Sequence, residues 1–78
     1  MKISQRIQIE FRADLSQPYL VSVIGALNMR ETVGHFSTPV EVMKCLTLDL
    51  GIEPARAEKA MADIQANGRA LLTRVVQG

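Results

Sequence analysis

The sequence predicts a two-layer α+β domain, a mainly antiparallel sheet in the order β-β-β-α-α-β with a helical hairpin packed on one face. Three observations predict it. Residues alternate between two faces from Ile3 to Leu15, a dense helix-start signal at Thr38 precedes two stripes of 3.6-residue period, and Ala70 to Val76 returns to a strand-like composition.

In the first element Ile3, Gln5, Ile7, Ile9, Phe11, Ala13 and Leu15 fall on one side, with Lys2, Ser4, Arg6, Gln8, Glu10, Arg12 and Asp14 on the other. That pattern is a half-buried strand with one wet face. Asp14, Ser16, Gln17 and Pro18 then make a turn. Tyr19 to Ile24 is rich in β-branched residues and ends at Gly25, which predicts a second strand hairpinned to the first. A helix from Ser16 to Met29 is the alternative, since Tyr19, Leu20, Val23, Ile24 and Leu27 also fit a helical stripe. The strand is preferred because Val21, Val23, Ile24 and Gly25 are mediocre helix formers. Ala26 to Asn28 turn the chain, with Asn28 suited to a left-handed conformation, and Met29 to Phe36 returns as a third strand.

Thr38 can cap a helix, Pro39 suits its first position, and Glu41 closes a capping box. This helix runs to about Leu50, buries Val42, Met43, Leu46 and Leu50, and stops at Gly51. A second runs from Glu53 or Pro54 to Ala66, with Ala57, Ala60, Met61 and Ile64 inward and Asn67-Gly68 as its stop. Its alanines permit a close antiparallel hairpin with the first. Residues 1–78 thus read as a single small domain without repeat or linker.

Composition bounds what such a domain does. The chain has 78 residues, 47% of them hydrophobic, with nine Lys plus Arg against eight Asp plus Glu. It is too apolar and too nearly neutral for intrinsic disorder, so it is expected to fold. A domain this small buries only about 60 to 65% of its unfolded surface, leaving little stability for strained catalytic geometry. One cysteine forbids an intrachain disulfide, and the apolar stretches of a signal peptide or membrane span are missing, so a cytoplasmic location with no membrane partner is expected.

Few residues suit catalysis. Cys45 lies about two turns along a helix that His35 precedes, too far for a nucleophile and its base. Structural zinc needs four ligands, and the five glycines are scattered singly rather than clustered around a phosphate. Glu10 and Glu31 could face each other across strands, although carboxylates on a wet face are ordinarily just solvated. No enzyme, metal or cofactor is expected.

Charge is unevenly divided. Residues 38–67 carry three cations against five acids, and the remainder six cations against three, so a mildly basic sheet lies on a mildly acidic helical layer. Arg6 and Arg12 could touch phosphates, but Phe11, Tyr19 and Phe36 form no stacking motif and the overall charge argues against direct nucleic-acid binding. Protein binding fits better. The second strand is apolar on both faces, so a sheet covered on one side exposes one set, with Leu20 and Ile24 as candidates for self-association into a homodimer. On the first helix Leu48 and Cys45 project away from the main stripe, between Glu41 and Lys44. The candidate partner-binding residues are Glu41, Lys44, Leu48, Asp49, Glu53, Glu58 and Asp63.

Two resemblances follow. Thr38-Pro-Val-Glu-Val-Met-Lys-Cys-Leu46, Gly51, Ala57-Glu-Lys-Ala-Met61 and Asn67-Gly-Arg-Ala70 resemble the helical hairpin of ClpS adaptors, which deliver substrates with destabilising amino-terminal residues to a protease. Gly34-His35-Phe36 replaces that family's Asn-Asp-Asp run, and Gln65 stands in place of its histidine, so its amine-binding groups are missing. The whole plan is similar to small phage-encoded anti-CRISPR inhibitors. That likeness implies a non-enzymatic protein that binds a CRISPR effector, a protein or ribonucleoprotein complex, and blocks recognition of target DNA. The acidic helical face (Glu41, Asp49, Glu53, Glu58, Asp63) is the part suited to covering a basic surface.

Overall fold

In the computed structural model, which describes residues 2–77, the chain folds as β1 (Lys2–Phe11), β2 (Tyr19–Ile24), β3 (Arg30–Phe36), α1 (Pro39–Lys44), α2 (Pro54–Asn67) and β4 (Arg69–Gln77). The four strands form one antiparallel sheet in the order β3-β2-β1-β4, with the helices on one face. The expected β-β-β-α-α-β architecture is the observed one.

Alternation in β1 sends Ile7 and Ile9 into the core, where both are fully buried, and leaves Arg6, Gln8 and Glu10 on the open face. The strand ends earlier than the alternation predicts. Arg12 donates its N–H to the Pro18 carbonyl at 2.8 Å, so residues 12–18 close as a loop and Leu15 is exposed. Residues 16–29 resolve in favour of the strand: Val21 and Val23 are buried in the core and Leu20 and Ile24 lie on the opposite face. Beyond it the chain reverses through Ala26–Asn28, with Leu27 and Asn28 both left-handed (φ 61° and 57°). Register then slips by one residue at Val33, a bulge that roughens the exposed edge of β3.

Thr38 caps α1 as expected, accepting the Glu41 N–H on Oγ1 at 3.3 Å and donating to the Glu41 carboxylate. The helix then widens into a π turn over Cys45–Asp49, where Leu50 donates to the Cys45 carbonyl. A π turn advances each residue by less than an α turn, so the apolar stripe drifts around the axis. The expected outward position of Cys45 is overturned, because it lies three residues after the buried Val42 and shares its flank of the helix. It is 2% exposed and packs in the core beside Leu46, whereas Leu48 is 78% exposed as expected. Gly51 (φ 69°) ends the segment, letting Ile52 donate back to Leu46 and bury its side chain.

In α2, Ala57, Ala60, Met61 and Ile64 face inward as the spacing predicts. Gly68 is left-handed (φ 80°) and donates to the Ile64 carbonyl at 2.7 Å, and β4 begins at once. Arg56 of α2 donates to the Thr73 carbonyl on β4, the other edge strand. Among the described residues no helix is long and apolar enough to cross a membrane.

Candidate functional site

The sheet has one covered and one open face, and the pairing register decides what the open face carries. One row across the strands reads Arg30, Ile24, Arg6, Thr73; the next reads Thr32, Ser22, Gln8, Leu71; a third reads His35, Leu20, Glu10, Arg69. Arg6, Arg30 and Arg69 border an open depression of about 940 Å³ with Gln8, Asn28, Ile24 and Leu71. Arg6 Nη2 donates to Asn28 Oδ1 at 2.9 Å, and Arg30 Nη2 to Gln8 Oε1 at 2.7 Å. Both guanidinium groups are therefore held by neutral amides. Glu10, the carboxylate of this face, accepts from Gln8 at 2.7 Å and from Arg12 at 3.2 Å.

A second concavity lies in the helical layer. Val40 and Met43 of α1 and Met61 and Ala62 of α2 line a mainly apolar groove of about 420 Å³, with Lys44, Glu58 and Gln65 at its polar margin. Val40, in the first turn of α1 beside Pro39, is 63% exposed at the groove.

The residues expected to bind a partner are thus divided. Lys44 and Glu58 meet at the groove, whereas Leu48 stands out from the π turn. Glu41 accepts from the Thr38 hydroxyl at the start of α1, Asp49 sits beside Cys45, and Glu53 precedes α2 without capping it. Asp63 borders the other concavity, beside Arg69, and pairs with Lys59 at 3.7 Å. The acids share a layer without forming one patch. Leu20 and Ile24 are half-buried on the open face, Ile24 directly between Arg6 and Arg30.

One other sequence expectation changes. Glu10 and Glu31 do not face each other: Glu10 pairs with Leu20 on the open face, and Glu31 with Val23, whose side chain enters the core side. Successive strand residues point to opposite faces, and the bulge at Val33 does not restore the match. Cys45 and His35 lie on opposite sides of the sheet, since Cys45 is in the helical core and His35 is exposed in the Leu20 row. Burial, and secondarily the charge of Asp49, raise the Cys45 thiol above its ordinary value, which disfavours the nucleophilic thiolate. Among the described residues no three His, Cys, Asp or Glu side chains gather as a metal site.

Sequence reasoning missed Val40 and Gln65 as groove residues and Arg30, Arg69, Gln8 and Asn28 as neighbours of Arg6. For Val40 a signal existed, since it lies three residues before Met43 beside the predicted stripe. For the arginines the signal is the strand register, which no single segment contains. Compared with known protein families, curated proteins and solved structures, the chain matches none.

Proposed function

We propose that this chain is a non-enzymatic protein-binding module whose helical groove receives an apolar side chain from a partner polypeptide. The observation that carries this reading is the groove between α1 and α2, apolar along Val40, Met43 and Met61 and flanked by one cation, Lys44, and one acid, Glu58. Burying an apolar side chain there removes Val40 from water, and Lys44 and Glu58 fix the direction of the entering backbone. Catalysis would need a nucleophile and base in contact, and Cys45 and His35 stand on opposite sides of the sheet.

In its most concrete form the module is an inhibitor of the anti-CRISPR type, which occupies a protein surface of a CRISPR effector complex and blocks recognition of target DNA. The plan and size of the domain support this form. The test is target-DNA binding by purified effector complexes with the chain added. Loss of DNA binding is expected, with recovery when Val40→Glu replaces the wild type; undiminished DNA binding across effector types would remove the inhibitor form.

The ClpS-like adaptor is the second form, favoured by one observation. The groove is built from the same stretch that resembles the ClpS hairpin, with Gln65 in its wall. An adaptor would retain peptides beginning with a bulky apolar residue and lose them on acetylation of the amino terminus. The absence of the family's amine-binding groups leads us to expect retention that ignores acetylation, which marks a protein-binding groove rather than an adaptor.

A further inference from the structure

The open face of the sheet is a second surface, independent of the groove. Lys2, Arg6, Arg12, Arg30 and Arg69 stand on it against Glu10, which Arg12 and Gln8 already engage. Asp63 and Asn67 of α2 also line the depression, and Asp63 is paired with Lys59 at 3.7 Å. Among the described residues no carboxylate lies within ion-pair distance of Arg6, Arg30 or Arg69. The amides of Asn28 and Gln8 fix two of these guanidinium groups without neutralising them. Three arginines against one carboxylate leave the depression with an excess of positive charge, which concentrates anions, and a planar guanidinium matches a phosphate through two parallel hydrogen bonds.

Arg30 and Arg6 flank Ile24 in one row, about 10 Å apart at two strand spacings, and Arg69 lies two rows along on β4. Positive charge is therefore spread over three strands around an apolar floor of Ile24 and Leu71. We infer that this face binds single-stranded nucleic acid, its arginines taking successive phosphates while exposed bases lie on the apolar floor. An extended polyanion supplies charge at regular intervals along the face. A duplex hides its base faces, leaving Ile24 and Leu71 without a partner. The aromatic rings of Phe11, Tyr19 and Phe36 belong to the other face, so binding draws on phosphate contacts and carries little sequence preference.

The experiment is fluorescence anisotropy of the full chain with short labelled RNA and DNA oligonucleotides of mixed sequence, single-stranded and duplex, across a salt series. For three phosphates neutralised on a single strand, log affinity should fall against log salt with a slope of about −2. Arg6→Ala and Arg30→Ala should each flatten that slope by about 0.7. Gln8→Glu removes no cation but gives Arg30 a carboxylate partner, and should weaken binding similarly. Val40→Glu, in the helical groove, should leave it unchanged. No binding at low salt, preference for the duplex, or binding indifferent to Arg6→Ala, Arg30→Ala and Gln8→Glu would each overturn the inference. So would salt-sensitive self-association with no nucleic-acid binding, because the face would then be meeting the acids of another copy.

Discussion

Arg74 on β4 joins the last strand to the end of the first helical segment: its Nη1 donates to the Leu50 carbonyl at 2.9 Å, while its Nε donates to Gln5 Oε1 at 2.9 Å. The Leu50 carbonyl belongs to the final turn before Gly51, where the helix dipole favours a cation. Both contacts span long sequence separations and are partly buried. Arg74→Met keeps the apolar stem and removes the two charge-assisted bonds, at a cost of about 2 kcal/mol. Urea unfolding should show that loss with an unchanged m-value, and thermal unfolding a fall of roughly 8 to 16 °C. A midpoint within error of the wild type would show that water replaces these bonds without cost.

Leu27 presents the opposite case, a residue whose replacement stabilises. It is 93% exposed and left-handed, with φ 61°, so its side chain offsets none of the backbone strain. A left-handed non-glycine residue costs roughly 1 to 2 kcal/mol, and Asn tolerates that conformation better than Leu. Leu27→Asn should therefore raise stability by about 0.5 to 1 kcal/mol in denaturant titration, whereas Leu27→Val, β-branched, should lower it. The opposite order would show that the turn relaxes in solution.

Cys45 makes stability depend on alkaline pH. Burial first, and then the Asp49 charge, raise its thiol above 9.0 in the folded state. Well below pH 9.0 the thiol is protonated in both states and contributes no pH dependence. As pH rises past that point the unfolded chain loses the proton and the folded chain keeps it, so stability falls until the folded value is passed. Urea midpoints should fall further between about pH 8 and about pH 10 for the wild type than for Cys45→Ala. Equal slopes would overturn this linkage.

Much of this fold is legible locally because its signals are local. Thr38, Pro39 and Glu41 define a helix start whatever lies around them, and Gly51 and Gly68 mark stops that only a left-handed residue serves easily. Ile7 and Ile9 declare a buried face through alternation alone. The inward position of Cys45 is also legible, three residues after Val42 on the helical stripe, whereas the π turn that follows it carries no local signal. The arginine face escapes local reading for a different reason. Arg6 and Arg30 are 24 residues apart in a nearly neutral chain, and only the hairpin register through Ile24 sets them in one row. The groove is intermediate: Met43 and Met61 are visible as stripe residues, but the exposure of Val40 depends on how α1 packs beside α2.

Self-association through Leu20 and Ile24 acquires a distinctive salt dependence from this setting. A twofold pairing of the open faces buries Ile24 but brings Arg6 and Arg30 toward the same residues of the second copy. Coulomb repulsion opposes it at low ionic strength and is screened as salt rises. Sedimentation should therefore show monomer at low salt and any dimer of this kind gaining population at high salt, with Ile24→Lys abolishing it. A dimer that dissolves with salt would have to use another surface.

The two concavities share no lining residue, so variants should separate their functions. Val40→Glu places a charge over the apolar groove beside Glu58, which penalises burial of an apolar side chain and repels an acidic approach. Its side chain is largely exposed in the folded protein, so stability should change by no more than about 0.5 kcal/mol. Polypeptide capture should be lost while oligonucleotide affinity stays the same. Reversing Glu53, Glu58 and Asp63 to lysine should weaken capture of a basic protein surface and, because Asp63 borders the arginine depression, strengthen oligonucleotide binding. Arg6→Ala with Arg30→Ala should do the converse, sparing capture and lowering nucleic-acid affinity. Loss of both activities in every variant, with circular dichroism unchanged, would mean that one continuous surface serves both.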